Sequence, residues 1–133
     1  MTEGTRSWVG RVLTGLAVLF LLFDAVTKIA RVPQSVAGTI ALGFPASSVV
    51  PIGVVLLACT VLYVVPRTTV LGAILLTGYL GGAVAANVRV GAPLPSHVLF
   101  PVYVGAIVWA GLVLRSARVR ALLLASSAGS SAR

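Results

Sequence analysis

Four ionisable side chains lie near the ends of long apolar runs, and their types and spacing allow chemistry: Asp24, Lys28, Arg89 and His97. Asp24 and Lys28 are four residues apart, so a helix places them on one face. A carboxylate inside a membrane helix costs about 2.5–3.5 kcal/mol on insertion scales, so it tends to face the protein interior and find a partner. We expect Asp24 and Arg89 to form a structural ion pair between two helices. The alternative is that these four residues bind a small anion or the headgroup of a quinone.

The chemistry open to these residues is narrow. One histidine and one nearby carboxylate are too few ligands for a metal site. Cys59 is the single cysteine, so the chain has neither an internal disulfide nor a CxxC redox pair. The sequence contains no phosphate-binding loop, no nucleophile elbow and no GxGxxG motif. We therefore expect no metal, no resident cofactor other than a quinone, and no catalysis by this chain alone.

The composition of the chain places it in a membrane. Of its 133 residues, 59% are hydrophobic and 9% are charged, and the mean hydropathy is +1.10. Soluble domains have about 45–50% apolar and about 25% charged residues, so a water-soluble fold is excluded. The basic residues stand singly between apolar runs and form no basic face, which excludes nucleic-acid binding despite a net charge of +8. The sequence predicts an integral membrane protein in contact with the lipid bilayer.

Four apolar runs are long enough to cross the hydrocarbon layer, which takes about 20 helical residues. They cover about residues 9–28, 49–65, 69–88 and 98–114. Only a tight hairpin fits between the second and third runs, and a short helix on the membrane surface is expected at 35–42. The predicted fold is all-α, a transmembrane up-down four-helix bundle that forms a single domain over residues 1–125. A disordered tail is expected at 126–133.

The basic residues predict the orientation of the bundle. With four spans, both chain ends and the short hairpin share one side of the membrane. That side carries seven of the ten basic residues: Arg6, Arg11, Arg67, Arg115, Arg118, Arg120 and Arg133. The opposite side carries the other three: Lys28, Arg31 and Arg89. By the positive-inside rule, both termini are expected in the cytoplasm, for a multi-pass protein of the plasma membrane.

Small residues on the third span predict a helix-packing face. Gly78 and Gly82 form a GxxxG motif, and Gly81 with Ala85 forms a second pair at the same spacing. Small residues at this spacing let two helix backbones approach closely. If this stripe packs inward, it carries Arg89 inward as well, toward the first span.

The tyrosines and tryptophans predict an aromatic belt at each membrane boundary. Trp8 and Tyr63 fall near the cytoplasmic boundary and Tyr103 near the outer one, where amphipathic rings are enriched. Tyr79 lies near mid-membrane, so its hydroxyl needs a hydrogen-bond partner. Cys59 is expected to be a small buried hydrophobic residue.

Several stretches of the chain resemble one family of membrane proteins. Residues 66–83 read PRTTVLGAILLTGYLGGA and residues 99–103 read LFPVY, while DAVTK at 24–28 and WAG at 109–111 continue the pattern. These stretches resemble the DoxX-like family, and the resemblance extends over roughly residues 8–124. The resemblance implies a small four-helix bundle of a bacterial membrane, related to a subunit of a thiosulfate:quinone oxidoreductase and linked to membrane redox complexes.

The resemblance also implies polar residues at the positions of Asp24, Lys28 and Arg89, which the chain has. The chain departs from the family at two positions. Family members often carry a glutamate near Leu56 and a histidine at the position of Asn87. The loss of a carboxylate and an imidazole argues against a proton-coupled or redox role and leaves a packing role intact.

These observations predict a non-catalytic accessory or structural subunit of a larger membrane complex, respiratory or quinone-linked. Its partner would be another membrane protein or a second copy of the chain. One alternative is a quinone- or small-anion-binding subunit of a membrane oxidoreductase, and another is a minimal transporter that acts as an oligomer. A bundle of 13.6 kDa without cofactor ligands could hardly transfer electrons alone.

Overall fold

A computed structural model describes residues 2–131 of the chain, with side chains described for residues 2–125. This part of the chain contains six α-helices and no strand, which confirms the all-α prediction. The helices are α1 (Glu3–Ile29), α2 (Pro33–Ala41), α3 (Val49–Val64), α4 (Thr69–Arg89), α5 (Phe100–Arg115) and α6 (Ala117–Ser131). A 3-10 turn precedes α3 at Ala46–Ser48, and a π-helical turn precedes α5 at Leu94–Val98.

Four helical segments are long and apolar enough to cross a membrane, as predicted. They are Glu3–Ile29, Ala46–Val64, Thr69–Arg89 and Leu94–Arg115. Residues 65–68 join α3 to α4 as the expected tight hairpin, and α2 is the short helix expected at 35–42. We call the end of the bundle where α1 and α4 finish the loop end, and the opposite end the terminal end.

The four spans form a closed ring in which α1 and α4 lie diagonally opposite each other. Each of these two helices packs against both α3 and α5. No Cα atom of α1 comes within 8 Å of a Cα atom of α4 anywhere in the part of the chain described. In an up-down bundle diagonal helices run in the same direction, so α1 and α4 bring their C-terminal ends to the loop end together.

Glycines outside the GxxxG motif make the closest contacts between helices. A Cβ on Gly10 of α1 would lie only 2.7 Å from the backbone nitrogen of Arg115, and Gly111 of α5 approaches α1 similarly closely. A Cβ on Gly72 of α4 would overlap the backbone of Tyr63 on α3. These glycines let neighbouring helix backbones touch.

The small residues of α4 do not pack inward, which corrects the prediction for this stripe. Gly78, Gly81, Gly82 and Ala85 are all exposed on the bundle, and a Cβ on any of the three glycines would meet nothing within 4 Å. The face of α4 that is turned to the core carries larger residues, among them Leu76 and Leu80, which are at most 8% exposed. Leucines gain more from contact with the other helices than glycines do, so they determine the rotation of α4.

The last helix lies at the terminal end of the bundle. Arg120 donates to the carbonyl oxygens of Val113 and Leu114 at 2.7 Å, and its guanidinium contacts the carboxylate of Glu3 at 2.5 Å. These contacts tie α6 to the end of α5 and to the start of α1. The backbone of α6 continues into the segment 126–133, for which disorder was expected, and residues 132 and 133 lie outside the described residues.

Candidate functional site

The polar centre of the loop end is an ion pair within α1. The Lys28 ammonium donates to the Asp24 carboxylate, with 2.5 Å between Nζ and Oδ1. The two side chains are half-buried, with 17% of Lys28 and 31% of Asp24 exposed. The pair follows from the sequence spacing, because residues four apart face each other on a helix. The Thr27 hydroxyl donates to the backbone carbonyl oxygen of Asp24 and not to its carboxylate.

The expected ion pair between Asp24 and Arg89 is absent from the described residues, which corrects that prediction. Arg89 is exposed at the end of α4, and its guanidinium lies against Gly43, where a Cβ would be 2.9 Å from Nη2. Two physical reasons account for this. The helices that carry the two residues are diagonal in the bundle, and Arg89 lies on the side of α4 that faces away from the core. Lys28 is therefore the partner within reach.

A cavity of about 490 Å³, which we call the inner chamber, lies between α1 and α4 at the loop end. Its walls are mostly apolar and aromatic, and residues of α2, α3 and α5 complete a lining that is open on one side. It is lined by Phe20, Leu21, Asp24, Lys28, Thr39, Leu42, Phe44, Ile52, Gly78, Tyr79, Leu80, Gly82, Ala83, Ala86, Phe100, Pro101 and Val104. The diagonal separation of α1 and α4 leaves this space.

A second cavity of about 690 Å³, the outer chamber, adjoins the first. It is lined by Phe23, Asp24, Thr27, Lys28, Val32, Gln34, Ser35, Gly38, Thr39, Ala41, Leu42, Asn87, Val90, Ala92 and His97. The chambers share Asp24, Lys28, Thr39 and Leu42. The ion pair therefore lies at the junction between an apolar chamber and a more polar one. An amphipathic molecule needs this combination of surfaces.

Tyr79 supplies a further polar group to the inner chamber. Its hydroxyl makes no hydrogen bond to another group among the residues that the structure describes. The two polar neighbours on its own helix have other partners, because Thr77 donates to Ala73 and accepts from Trp109, while Asn87 donates to Ala83. A phenol hydroxyl inside a membrane protein gains from a hydrogen bond, so Tyr79 is available to a ligand.

His97 is placed at the edge of the site. It is exposed in the π-helical turn, where its Nδ1 lies 2.7 Å from the Ser96 hydroxyl. It lines the outer chamber but not the inner one. Of the four candidates from the sequence, the structure thus brings three to the cavity (Asp24, Lys28 and His97) and leaves Arg89 outside its lining.

A second polar cluster, which the sequence analysis missed, lies at the terminal end. Tyr63 is fully buried rather than part of an aromatic belt, and its hydroxyl donates to the carbonyl of Val108 at 2.8 Å. Arg115 donates from Nε to the Thr14 hydroxyl at 3.0 Å and lies 5.6 Å from the centre of the Tyr63 ring. The cluster joins α1, α3 and α5. The close approach of helices at Gly10 brings these side chains together, and no spacing along one helix could have shown it.

The comparison with protein families agrees with the resemblance seen in the sequence. A model described as the DoxX-like family matches residues 12–111. The matched segment contains the ion pair, both chambers and Tyr79, and it ends before α6. No curated protein matches the chain. No solved structure matches it.

Proposed function

Because this chain belongs to the DoxX-like family, we propose that it is a non-catalytic subunit of a larger membrane complex and contributes a binding cavity for an amphipathic ligand. The observation that carries this proposal is the pair of joined chambers with the Asp24–Lys28 ion pair at their junction. Ligand sites combine mostly apolar walls with a few polar groups that orient the ligand. Here the apolar walls would hold the body of the ligand, while the ion pair and Tyr79 would bind its polar head.

A quinone in a membrane oxidoreductase is one ligand that fits this description. Its tail would lie against the apolar wall of the inner chamber, and its ring oxygens would accept hydrogen bonds from Lys28 and Tyr79. The quinone would supply the redox chemistry, and this chain would bind and orient it. A small anion is the other ligand expected from the sequence, but it fits this site less well, because the Asp24 carboxylate lies beside the Lys28 ammonium.

The role as a subunit is supported by the face of α4 that points away from the bundle. Gly81 and Ala85 lie four residues apart on this face and line neither chamber, whereas Gly78 and Gly82 line the inner chamber. In a bilayer small residues at this spacing let a further helix approach closely. Another membrane protein, or a second copy of this chain, would pack there in the plasma membrane of a bacterium, with both chain termini in the cytoplasm.

Purification of the tagged chain from native membranes in mild detergent tests the subunit role. We expect a larger membrane protein in fixed stoichiometry, and we expect Gly81→Leu to lose it, because Gly81 is exposed on α4 and lines neither chamber. Gly15→Leu is the matched control, because Gly15 is also an exposed helical glycine with open space around it but lies on α1. Recovery of the chain alone from native membranes, or equal loss of the partner in both variants, would overturn the subunit role.

The ligand is tested on the same preparation by mass spectrometry of the extracted small molecules. We expect an amphiphile in a fixed ratio to the chain, and less of it after Tyr79→Phe. Release of no amphiphile from the purified chain would overturn the binding role. Solute uptake by proteoliposomes that contain the chain alone would instead indicate a minimal transporter.

A further inference from the structure

We propose that the cavity binds a zwitterionic phospholipid whose head carries a phosphodiester and a primary ammonium group. This inference rests on the proposed function of the cavity as a site for an amphiphile, and it names the ligand class. The ion pair at the junction of the two chambers carries it, because Asp24 and Lys28 present opposite charges side by side to the same space.

The charges that line the chambers favour a head without net charge. Asp24 and Lys28 are the only lining residues of the two chambers with a full charge when His97 is neutral. An anion is attracted to the ammonium of Lys28 but repelled by the carboxylate beside it. A cation is attracted to the carboxylate of Asp24 but repelled by the ammonium of Lys28. A head that carries both charges can align antiparallel to the pair, with its phosphate on Lys28 and its ammonium on Asp24, and both contacts are then attractive.

Each member of the pair keeps hydrogen-bonding capacity for such a head. An ammonium has three donors, and Lys28 uses one of them on Oδ1 of Asp24. Among the described residues no group donates to Oδ2 of Asp24, so this oxygen can accept from a ligand ammonium. The free donors of Lys28 and the Tyr79 hydroxyl can bind phosphate or ester oxygens. Hydrogen bonds of this charged kind are about twice as strong as those between neutral groups.

The depth of the ion pair matches the level of a phospholipid head. Asp24 lies five residues before Ile29, the last residue of α1. At 1.5 Å per residue this is about 7.5 Å from the helix end, and Lys28 lies within one turn of it. A lipid could place its head at the pair without leaving its leaflet.

The apolar part of the cavity suits an acyl chain. Phe20 and Phe100, whose ring centres are 5.3 Å apart, form one wall of the inner chamber. Gly78 and Gly82 line the same chamber and are exposed on the surface of α4. The chamber is therefore continuous with the surface that faces lipid, and an acyl chain can extend from it into the bilayer.

Native mass spectrometry of the delipidated full chain in detergent tests this proposal. The probes are phosphatidylethanolamine, phosphatidylglycerol and phosphatidylcholine with the same acyl chains, a short-chain quinone, and glycerophosphoethanolamine as a head without tails. We expect phosphatidylethanolamine to bind at least about tenfold more tightly than either of the other lipids, a difference of about 1.4 kcal/mol, because each of them lacks one charged hydrogen bond. Glycerophosphoethanolamine, without acyl chains, should bind far more weakly.

Substitutions at the ion pair should change which lipid binds most tightly according to the charges that remain. An ion pair with only a structural role would not change this lipid preference. Asp24→Asn should leave a cationic site and move the preference to phosphatidylglycerol. The exchange Asp24→Lys with Lys28→Asp should keep the preference for phosphatidylethanolamine, because both charges remain. Glu3→Gln is the matched control, since it removes a carboxylate that pairs with a base at the terminal end and should leave the lipid ranking unchanged.

The outcomes separate this inference from the proposed function. If phosphatidylglycerol or the quinone binds the wild-type chain most tightly, the zwitterionic class is wrong while the amphiphile site stands. If phosphatidylcholine binds most tightly, the requirement for a primary ammonium group is wrong. If no probe binds and the native preparation releases no amphiphile, both proposals fail. The ranking on the wild-type chain decides the question even if a variant at the pair does not fold.

Discussion

Lys28 donates to Asp24 one turn earlier on α1, with 2.5 Å between Nζ and Oδ1, and this pair lies between an apolar chamber and one whose lining includes more polar side chains. Both charges of the site come from a single helix. The other helices supply walls, a tyrosine hydroxyl and the space itself. The polar centre is therefore local in sequence, whereas the cavity depends on how α1 and α4 are held apart.

The ion pair predicts a specific pattern of energetic coupling. In a double-mutant cycle, Asp24→Asn and Lys28→Gln should show a coupling of about 1 kcal/mol, because the two side chains touch and are half-buried. Asp24→Asn and Arg89→Gln should be additive within about 0.5 kcal/mol, as for sites without a shared partner. The free energy of unfolding in detergent measures both cycles. A larger coupling with Arg89 than with Lys28 would contradict the observed pairing.

The rotation of α4 predicts which of two neighbouring substitutions destabilises the bundle. Leu80 is 8% exposed and faces the core, so Leu80→Ala should lower the free energy of unfolding by about 2–4 kcal/mol. Gly82→Leu adds a side chain in open space and should cost less than about 1 kcal/mol. Thermal unfolding in detergent compares the two. If Gly82→Leu destabilised the bundle more than Leu80→Ala, Gly82 would have to pack against another helix, contrary to the observed rotation of α4.

The close contact at Gly72 predicts an overpacking effect. A methyl group at this position would overlap the backbone of Tyr63, so Gly72→Ala should destabilise the bundle by about 1–3 kcal/mol. Gly81→Ala is the matched control on the same helix and should be neutral or slightly stabilising, because nothing lies within 4 Å of its added methyl group. Equal stability of the two variants would argue against the observed contact between α3 and α4.

The buried hydroxyl of Tyr63 predicts a difference between two identical substitutions. Tyr63→Phe removes the hydrogen bond from the buried hydroxyl to the Val108 carbonyl, which should lower the free energy of unfolding by about 0.5–1.5 kcal/mol. Tyr103→Phe should change the free energy of unfolding by less than about 0.5 kcal/mol, because Tyr103 is 49% exposed. Unfolding in detergent measures the contrast. If both substitutions lowered the free energy of unfolding by the same small amount, Tyr63 would be better described as part of an aromatic belt at the membrane boundary.

The distribution of basic residues predicts the topology of the chain in cells. We expect Thr5→Cys and Ser130→Cys, made in a Cys59→Ser background, to be protected from an impermeant thiol reagent, whereas Ala92→Cys is labelled from outside. Permeabilised cells provide the control, because all three variants should then be labelled. Labelling of residue 5 or 130 in intact cells would reverse the orientation.

The sequence by itself determined the membrane class, the four spans and the short helix between the first two. These features depend on local properties, because a bilayer requires about 20 apolar residues per helix and breaks such as that near Pro66 end a span. The pairing of Asp24 with Lys28 was equally open to prediction, since residues four apart always face each other on a helix. Asp24 was instead expected to pair with Arg89 on another helix, a contact that is absent from the residues the structure describes.

Only the tertiary structure decided which way each helix faces and which helices are diagonal. The small stripe of α4 is outward because Leu76 and Leu80 on the opposite face pack into the core. Tyr63 is buried because the backbones of α3 and α4 meet at Gly72. In a chain that is apolar on nearly every side, hydrophobic patterning does not define an inner face. Close packing and hydrogen bonds between helices define it instead, and they depend on all four spans at once.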